Sequence, residues 1–308
     1  MKDLIIIGGG PAGLTAGMYA ARAKLDTLLL ERGIVGGQVL ITDWVENYPG
    51  FVDGISGPEL SQRFEQHALK FGLNIENGSV SGIEREGDVK KILLEDGRSY
   101  EAKSVIIATG ANPKQLDVEG EDKFRGRGVS YCATCDGAFF KDKKICVVGG
   151  GDTAVEEALF LTRFASQVYI IHRRDAFRAT KIIQERALSH PKIKVFWDSV
   201  VERINGDMVV HSVTLRNVKT NEVFELETDG VFVFIGYIPN TKFLEGFLNL
   251  DENGYIIVNE YLETSVPGVF AAGDVTNKFL KQISTAVGDG AVAAVRAEKY
   301  IEEQFSQT

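Results

Sequence analysis

Residues that anchor metals and disulfide scaffolds are scarce in this chain: 308 residues carry three cysteines, four histidines, three methionines and two tryptophans. At this length two domains of ordinary size can bury a sufficient core, so no covalent staples are needed. Two of the cysteines share a single Cys-x-x-Cys, Cys132-Ala133-Thr134-Cys135, a pattern that in such a chain belongs to redox or metal chemistry. Long apolar runs are missing as well, and nothing approaches the ~18 residues a membrane span requires. Lysine and arginine form no long run and the net charge is −9. Neither a nucleic acid nor an anionic membrane would gain counterion release from such a surface, so neither partner is expected. The apolar stretch Leu4–Ile7 is too short for a secretory leader and runs directly into glycines. It reads as a first strand, and the cytoplasm is the expected location. A nucleophile elbow is absent, and His67, His190 and His211 have no companions that suggest a triad or a metal cluster.

The chain does have an internal repeat. Strand Leu4–Ile7 leads into Gly8-Gly9-Gly10-Pro11-Ala12-Gly13, an Ala-rich helix and a strand ending at Glu31. Strand Ile145–Val148 leads into Gly149-Gly150-Gly151-Asp152-Thr153-Ala154, a second helix and a strand ending at His172. Gly8 and Gly149 are 141 positions apart, and so are Glu31 and His172. Each βαβ unit is followed by β-rich sequence with hairpin signals, Asn77-Gly78, Gly87-Asp88 and Asp96-Gly97 in the first, Asn205-Gly206, Thr220-Asn221 and Asp229-Gly230 in the second. Each then closes on a buried strand ending in glycine, at Gly110 and Gly236; a third such strand, Val269–Asp274, precedes a C-terminal helix of about Thr285–Phe305. The fold class is therefore α/β, two Rossmann-like dinucleotide-binding domains with the second inserted into the first. The junctions fall near Asn112-Pro113 and Tyr237–Asn240, giving an outer domain of 1–112 and 244–308 and an insert of 113–243.

In a G-x-G-x-x-G turn the first glycine allows the tight bend, the second lets backbone approach a pyrophosphate, and the third lets helix pack on strand. Glu31, at the end of the next strand, is where a carboxylate accepts hydrogen bonds from a ribose. The repeat puts His172-Arg173-Arg174 in that place, with Arg178 shortly after. A carboxylate there would repel a 2′-phosphate, whereas guanidinium groups bind it bidentately, so the second cofactor is expected to be NADP-type. A hydride donor paired with an acceptor flavin is the usual use of two such sites, and Gly273-Asp274 suits a ribityl or pyrophosphate contact.

Cys132 and Cys135 lie between the two glycine turns. Their spacing allows a disulfide in a small ring that is readily made and broken, with one thiol acidified. Asp136 is placed to pass a proton to the departing thiolate. The alternatives are a zinc half-site, which needs two further ligands, and an inert structural pair. Cys146 sits inside an apolar strand and reads as a buried small hydrophobe.

Taken together, Gly8–Gly13, Gly36-Gly37-Gln38, Val45–Gly50, Ala108-Thr109-Gly110, Cys132–Asp136, Gly149–Ala154, His172–Arg178 and Gly273-Asp274 with Gln282 resemble the low-molecular-weight thioredoxin reductases, in order and over essentially the whole chain. The resemblance implies FAD at Gly8, Gly10, Pro11, Ala12, Gly13, Glu31, Arg32, Gly36, Gly37, Gln38, Asn47, Ala108, Thr109, Gly110, Gly273, Asp274, Lys281, Gln282 and Ile283. It implies NADPH at Gly149, Gly151, Asp152, Thr153, His172, Arg173, Arg174 and Arg178, and no metal. Cys135 would face the flavin, Cys132 would attack the disulfide of thioredoxin or a similar small protein, and Asp136 would be the acid/base. It further implies a homodimer and a hinge near residues 111–115 and 239–243. Lys281 stands where many members have arginine, and Asp43-Trp44 replaces a more threonine-rich stretch. The alternatives are a related reductase of another disulfide protein and a non-catalytic NADPH sensor; the absence of an N-terminal thioredoxin-like extension counts against a hydroperoxide-reductase flavoprotein.

Overall fold

The computed structural model describes residues 1–42, 45 and 47–305, so Asp43-Trp44 and Glu46 lie outside the described residues. It divides into two compact units, Met1–Asn112 with Ile238–Thr308, and Pro113–Tyr237. The strands that carry the two crossings, Ala111–Pro113 and Tyr237–Pro239, pair with each other. Residues 238–243 belong to the outer unit, a few residues earlier than the expected return at 244. Side-chain hydrogen bonds hold this segment to the outer unit. Asn240 Nδ2 donates to Thr109 O at 2.8 Å and Thr109 Oγ1 donates to Asn240 O at 2.9 Å, while Thr241 Oγ1 donates to Gly254 O.

The outer unit is built on a seven-stranded sheet in the order Asn74–Asn77, Thr27–Glu31, Lys2–Ile7, Ser99–Ile107, Val89–Leu94, Val80–Glu86. Strand Ser99–Ile107 is long enough to serve two neighbours on one side. Its first half pairs antiparallel with Val89–Leu94 and its second half pairs parallel with Val269–Ala271. Alternate residues of the central strands feed two cores. Leu4, Ile6, Leu29 and Ile106 face one, Ile5, Ile7, Leu28 and Ile107 the other, all nearly inaccessible. Each such side chain contributes about 1.5–3 kcal/mol on burial.

Helix Pro11–Arg22 starts with proline at its first turn and presents Ala12, Gly13, Ala16, Gly17, Ala20 and Ala21 as a small-residue face. Against it runs helix Ile283–Phe305, also with small buried residues, and a Cβ on Gly290 would lie 2.2 Å from Ala12 O. Only side chains this small let the first helix sit low enough on the sheet for its N-terminus to meet the turn after Ile7.

The inserted unit has a five-stranded, wholly parallel sheet in the order Ile193–Phe196, Gln167–Ile171, Lys144–Val148, Gly230–Val233, Val129–Ser130, with helices Asp152–Leu161 and Lys181–Ser189. A separate antiparallel sheet comprises Ser199–Gly206, Val210–Asn217 and Val223–Glu227. The repeat seen in sequence is a repeat in register. Ile7 pairs with Leu30, and Val148 with Ile171, each shifted by the same 141 positions. Two turn signals serve other ends than hairpins. Asn77-Gly78 carries the chain away from a strand paired in parallel with Thr27–Glu31, and Asp229-Gly230 enters the parallel sheet, where Asp229 N donates to Lys144 O. No described helix is long and apolar enough to cross a membrane.

Candidate functional site

In the outer unit the turn after Ile7 is dictated by sterics. Gly8 has φ +107°, and a Cβ there would lie 2.4 Å from Ala108 O; a Cβ on Gly13 would lie 1.9 Å from Gly8 O. Gly10 is different. Its backbone (φ −79°, ψ −174°) suits any residue, and the nearest described atom to an added Cβ is Gly37 Cα at 3.9 Å. Packing gives no reason for glycine there; open space in front of it does. Gly10 is also the N-cap of the 12-residue helix Pro11–Arg22 and provides no side-chain cap. The first-turn N–H groups are left for an anionic ligand.

Around this turn the sequence-predicted residues assemble. Glu31 accepts hydrogen bonds from Gly9 N at 2.7 Å and Gly33 N at 3.0 Å, which fixes its carboxylate beside the glycines, and Arg32 is exposed next to it. Gly36 N donates to Gly9 O at 2.8 Å, and a Cβ on Gly37 would come within 3.1 Å of Gly10 Cα. Gln38 Nε2 donates to Asn112 Oδ1 at 2.7 Å. Ala108, Thr109 and Gly110 leave the neighbouring strand at the same edge, with Ala108 N bonded to Ile7 O. Asn47 Nδ2 donates to Gln282 Oε1 at 3.1 Å, just before Ile283 opens the C-terminal helix.

Gly273 packs on Ala12, where a Cβ would approach the Ala12 Cβ to 2.9 Å. Next to it, Asp274 is half-buried, and its buried Oδ1 has no hydrogen-bond partner among the described residues. Burial raises the Asp274 carboxyl above its ordinary value, against the pull of Lys281 and Lys278. An orphaned buried acceptor costs about 1–3 kcal/mol, and a polyhydroxyl chain supplies the donors it lacks. Lys281 Nζ donates to Asp274 O and Thr276 O, each at 3.2 Å, and lies 4.0 Å from the Tyr255 ring centre.

Sequence reasoning missed Asp289, whose Oδ2 accepts from Gly273 N at 2.9 Å and pairs with Lys278. Its one signal was an acid inside the small-residue run Ala286–Ala291. Also missed was Ser61, whose buried Oγ lies beside Gly36 without a partner among the described residues; nothing in its helical context distinguished it.

The inserted unit repeats the design. Gly149 has φ +151°, with a would-be Cβ 2.4 Å from Phe234 O, and Ala154 takes the place of Gly13. Gly151, the counterpart of Gly10, has extended backbone and no described atom within 4 Å of an added Cβ. It caps the 10-residue helix Asp152–Leu161 without a side-chain bond. Asp152 Oδ1 accepts from Thr180 N at 2.7 Å, tying the following loop to this helix, while Thr153 is exposed on its first turn.

His172 turns inward. Its ring lies on Gly150, where a Cβ would be 2.2 Å from the ring, it packs with Phe177 and Trp197, and its Nε2 is 3.1 Å from Ala176 O. Burial lowers its pKa, so the imidazole is neutral beside the arginines. Arg173, Arg174 and Arg178 are exposed, and among the described residues none is in an ion pair. Arg178 N donates to Gly150 O at 2.7 Å, which holds the basic loop against the turn.

Cys132 and Cys135 form a disulfide, 2.10 Å between sulfurs and 5.3 Å between Cα atoms. Cys132 directly precedes the single helical turn Ala133–Asp136, and Asp136 N donates to Cys132 O at 3.1 Å. Thr134 Oγ1 lies 3.4 Å from Cys132 Sγ. Both cysteines are partly exposed. The pair follows strand Val129–Ser130, and Phe232 pairs with both Ser130 and Val147. Cys132 comes two residues after the carboxyl end of Val129–Ser130, and Gly149 comes directly after that of Lys144–Val148. Disulfide and glycine turn thus share the carboxyl edge of one parallel sheet, the usual ligand edge of such folds. Cys146 is buried, and burial pushes its thiol up to about 12, so it stays a thiol. Among the described residues no cluster of His, Cys, Asp and Glu could hold a metal.

Comparison with known proteins agrees with this construction. The family model described as pyridine nucleotide-disulphide oxidoreductase matches residues 2–290. A thioredoxin reductase of Peptoclostridium acidaminophilum is 49% identical, with 99% of this chain and 98% of that protein covered. One from Bacillus subtilis is 50% identical, covering 98% and 95%. The crystal structure of thioredoxin reductase from Streptococcus pyogenes superposes with a TM-score of 0.92 at 50% identity, covering 98% of this chain and 99% of that one. From glycine turns to vicinal disulfide, the chain belongs to the thioredoxin reductases of the pyridine nucleotide-disulphide oxidoreductase family.

Proposed function

We propose that this protein is an NADPH-dependent reductase that carries two electrons to Cys132–Cys135 and from there to the disulfide of thioredoxin. The observation that carries this reading is the disulfide on the same sheet edge as a glycine turn whose second glycine has no packing role. The outer unit holds FAD, with Gly10 and the adjoining helix N-terminus at the pyrophosphate, Glu31 at the ribose, and Asp274 with Asn47 and Gln282 along the chain between. The inserted unit holds NADPH, with Gly151 and Thr153 at the pyrophosphate and Arg173, Arg174 and Arg178 at the 2′-phosphate. His172 and Asp152 shape that site by packing under the turn and tying the loop. Bound FAD supplies the two-electron relay between a nicotinamide hydride and a disulfide.

Opening the Cys132–Cys135 bond takes two electrons and two protons and leaves two thiols. Asp136 passes a proton at this bond. Cys132, as thiolate, attacks one sulfur of the partner disulfide and forms a mixed disulfide. Cys135 then attacks Cys132 Sγ, re-forming the internal bond and releasing the partner as a dithiol. The assignment of Cys132 as the attacking thiol rests on the family resemblance, as do a homodimeric working form and a cytoplasmic location.

NADPH oxidation in the presence of oxidised thioredoxin tests the reading. Wild type is expected to turn over continuously, whereas Cys132→Ser and Cys135→Ser fall to background while NADPH still bleaches the flavin. A wild type that bleaches once and never turns over would instead favour a redox sensor, and turnover in either variant would refute the electron path.

A further inference from the structure

The residue before the redox pair is held more firmly than a strand end requires. Tyr131 Oη donates to Glu121 Oε1 at 2.7 Å. Glu121 is only 3% exposed and accepts two more hydrogen bonds, from Leu116 N and Asp117 N, both at 2.8 Å. The Arg125 guanidinium stacks 5.0 Å from the centre of the Tyr131 ring, and Tyr237 Oη donates to Tyr131 O at 3.3 Å. Ring, hydroxyl and carbonyl of Tyr131 are therefore each tied. Next to it, buried Ser130 brackets Cys132, its Oγ accepting from Cys132 N at 3.1 Å and donating to Cys132 O at 3.3 Å.

These bonds do nothing for either nucleotide turn. What they fix is the backbone on the Cys132 side, whereas Cys135 sits in a single helical turn beyond it. We propose that Tyr131, anchored on Glu121, is a positioning residue for Cys132: it keeps the reduced Cys132 thiol within bonding reach of Cys135, and so sets how readily the pair re-forms its disulfide. The inference rests on the redox role assigned to the pair. Ring closure between two thiols depends on their effective concentration, which falls when one is freed to wander. Exchange with dithiothreitol reads this directly: each cycle moves two electrons and two protons from dithiothreitol to Cys132–Cys135, giving two protein thiols and the cyclic oxidised reagent.

Tyr131→Phe keeps the ring and its stacking and removes only the hydroxyl. In the FAD-loaded protein, equilibrated with reduced and oxidised dithiothreitol and read by thiol alkylation, this variant should favour the dithiol about 3- to 10-fold more than wild type. The upper figure corresponds to a potential raised by ~30 mV. The oxidised protein should melt no more than about 2–4 °C lower, and the rate of flavin bleaching by NADPH should be unchanged, which separates positioning from general damage. Glu121→Gln should move the equilibrium the same way. The double variant should be no further displaced than the worse single one, because both break one contact. An equilibrium within twofold of wild type in Tyr131→Phe, or fully additive shifts in the double variant, would overturn the proposal. Failure of the underlying reading looks different: wild-type thiols would not appear with NADPH at all, whatever Tyr131→Phe does in dithiothreitol.

Discussion

Gly10→Ala separates ligand-imposed glycine from fold-imposed glycine within one motif. Extended backbone at Gly10 accepts alanine, and the added Cβ finds Gly37 Cα at an ordinary 3.9 Å. Alanine is a poorer N-cap than glycine by a few tenths of a kcal/mol or more. It also restricts the unfolded chain, a gain of about 0.4–1 kcal/mol. The two effects nearly cancel, so Gly10→Ala should fold with an unchanged melting temperature as apoprotein. Binding should suffer, because the methyl enters the space the pyrophosphate needs. Forcing a methyl into a filled site costs about 1–3 kcal/mol, roughly a 5- to 150-fold weaker FAD. Gly13→Ala is the contrast. Its Cβ would lie 1.9 Å from Gly8 O, so the helix must lift from the strand and the protein itself loses stability. FAD fluorescence quenching on titration into apoprotein, with thermal melting of the same samples, measures both. A Gly10→Ala protein that folds normally and binds FAD with wild-type affinity would refute the claim that this glycine exists for the ligand.

Two further outcomes follow from charges. Replacing Arg173, Arg174 and Arg178 by glutamine together should raise KM for NADPH by one to two orders of magnitude while leaving KM for NADH within a few-fold, since only the former carries the 2′-phosphate. Equal losses with both would contradict the assignment. Lys90 is fully buried, its ammonium donating to Asp88 O, Lys103 O and Tyr300 Oη, and burial lowers its pKa to about 8. Unfolded lysine stays protonated to its ordinary value, so between about pH 8 and 10.5 the unfolded state binds more protons and stability rises with pH. The whole window is worth about 3 kcal/mol. Chemical denaturation at pH 7 and pH 10 should therefore show Lys90→Met gaining on wild type at pH 7 and losing that advantage at pH 10; a pH-independent difference would show that the buried ammonium carries no such penalty.

Much of the architecture was written in local sequence. The 141-residue offset between glycine turns became the same offset between strand registers, because a βαβ unit carries its own pairing instructions in alternating apolar residues. The two glycine turns were legible for a similar reason: Gly8, Gly13 and Gly149 stand where a Cβ would meet neighbouring backbone or side chain, while Gly10 and Gly151 have no close neighbour. Long-range choices were less so. Asn77-Gly78 has the composition of a hairpin turn, yet nothing local says that the preceding strand pairs in parallel with Thr27–Glu31. His172 read as one of a basic cluster, but side chains alternate at a strand end, and the absent side chain of Gly150 opens a place for the ring. Glu121 with Tyr131, and Lys278 with Asp289, are pairs joined across turns, with no periodicity to announce them. The second junction, expected near Tyr237–Asn240, is held by a contact that no local pattern announces, Asn240 on Thr109, 131 positions distant.

The central claim is that electrons from NADPH arrive at one pair of sulfurs. Anaerobic mixing of the FAD-loaded protein with one equivalent of NADPH, followed by alkylation and peptide mass analysis, tests it most directly. Two new thiols should appear, at Cys132 and Cys135, with Cys146 unmodified until the protein is denatured. A flavin that bleaches while Cys132 and Cys135 remain joined would contradict the account.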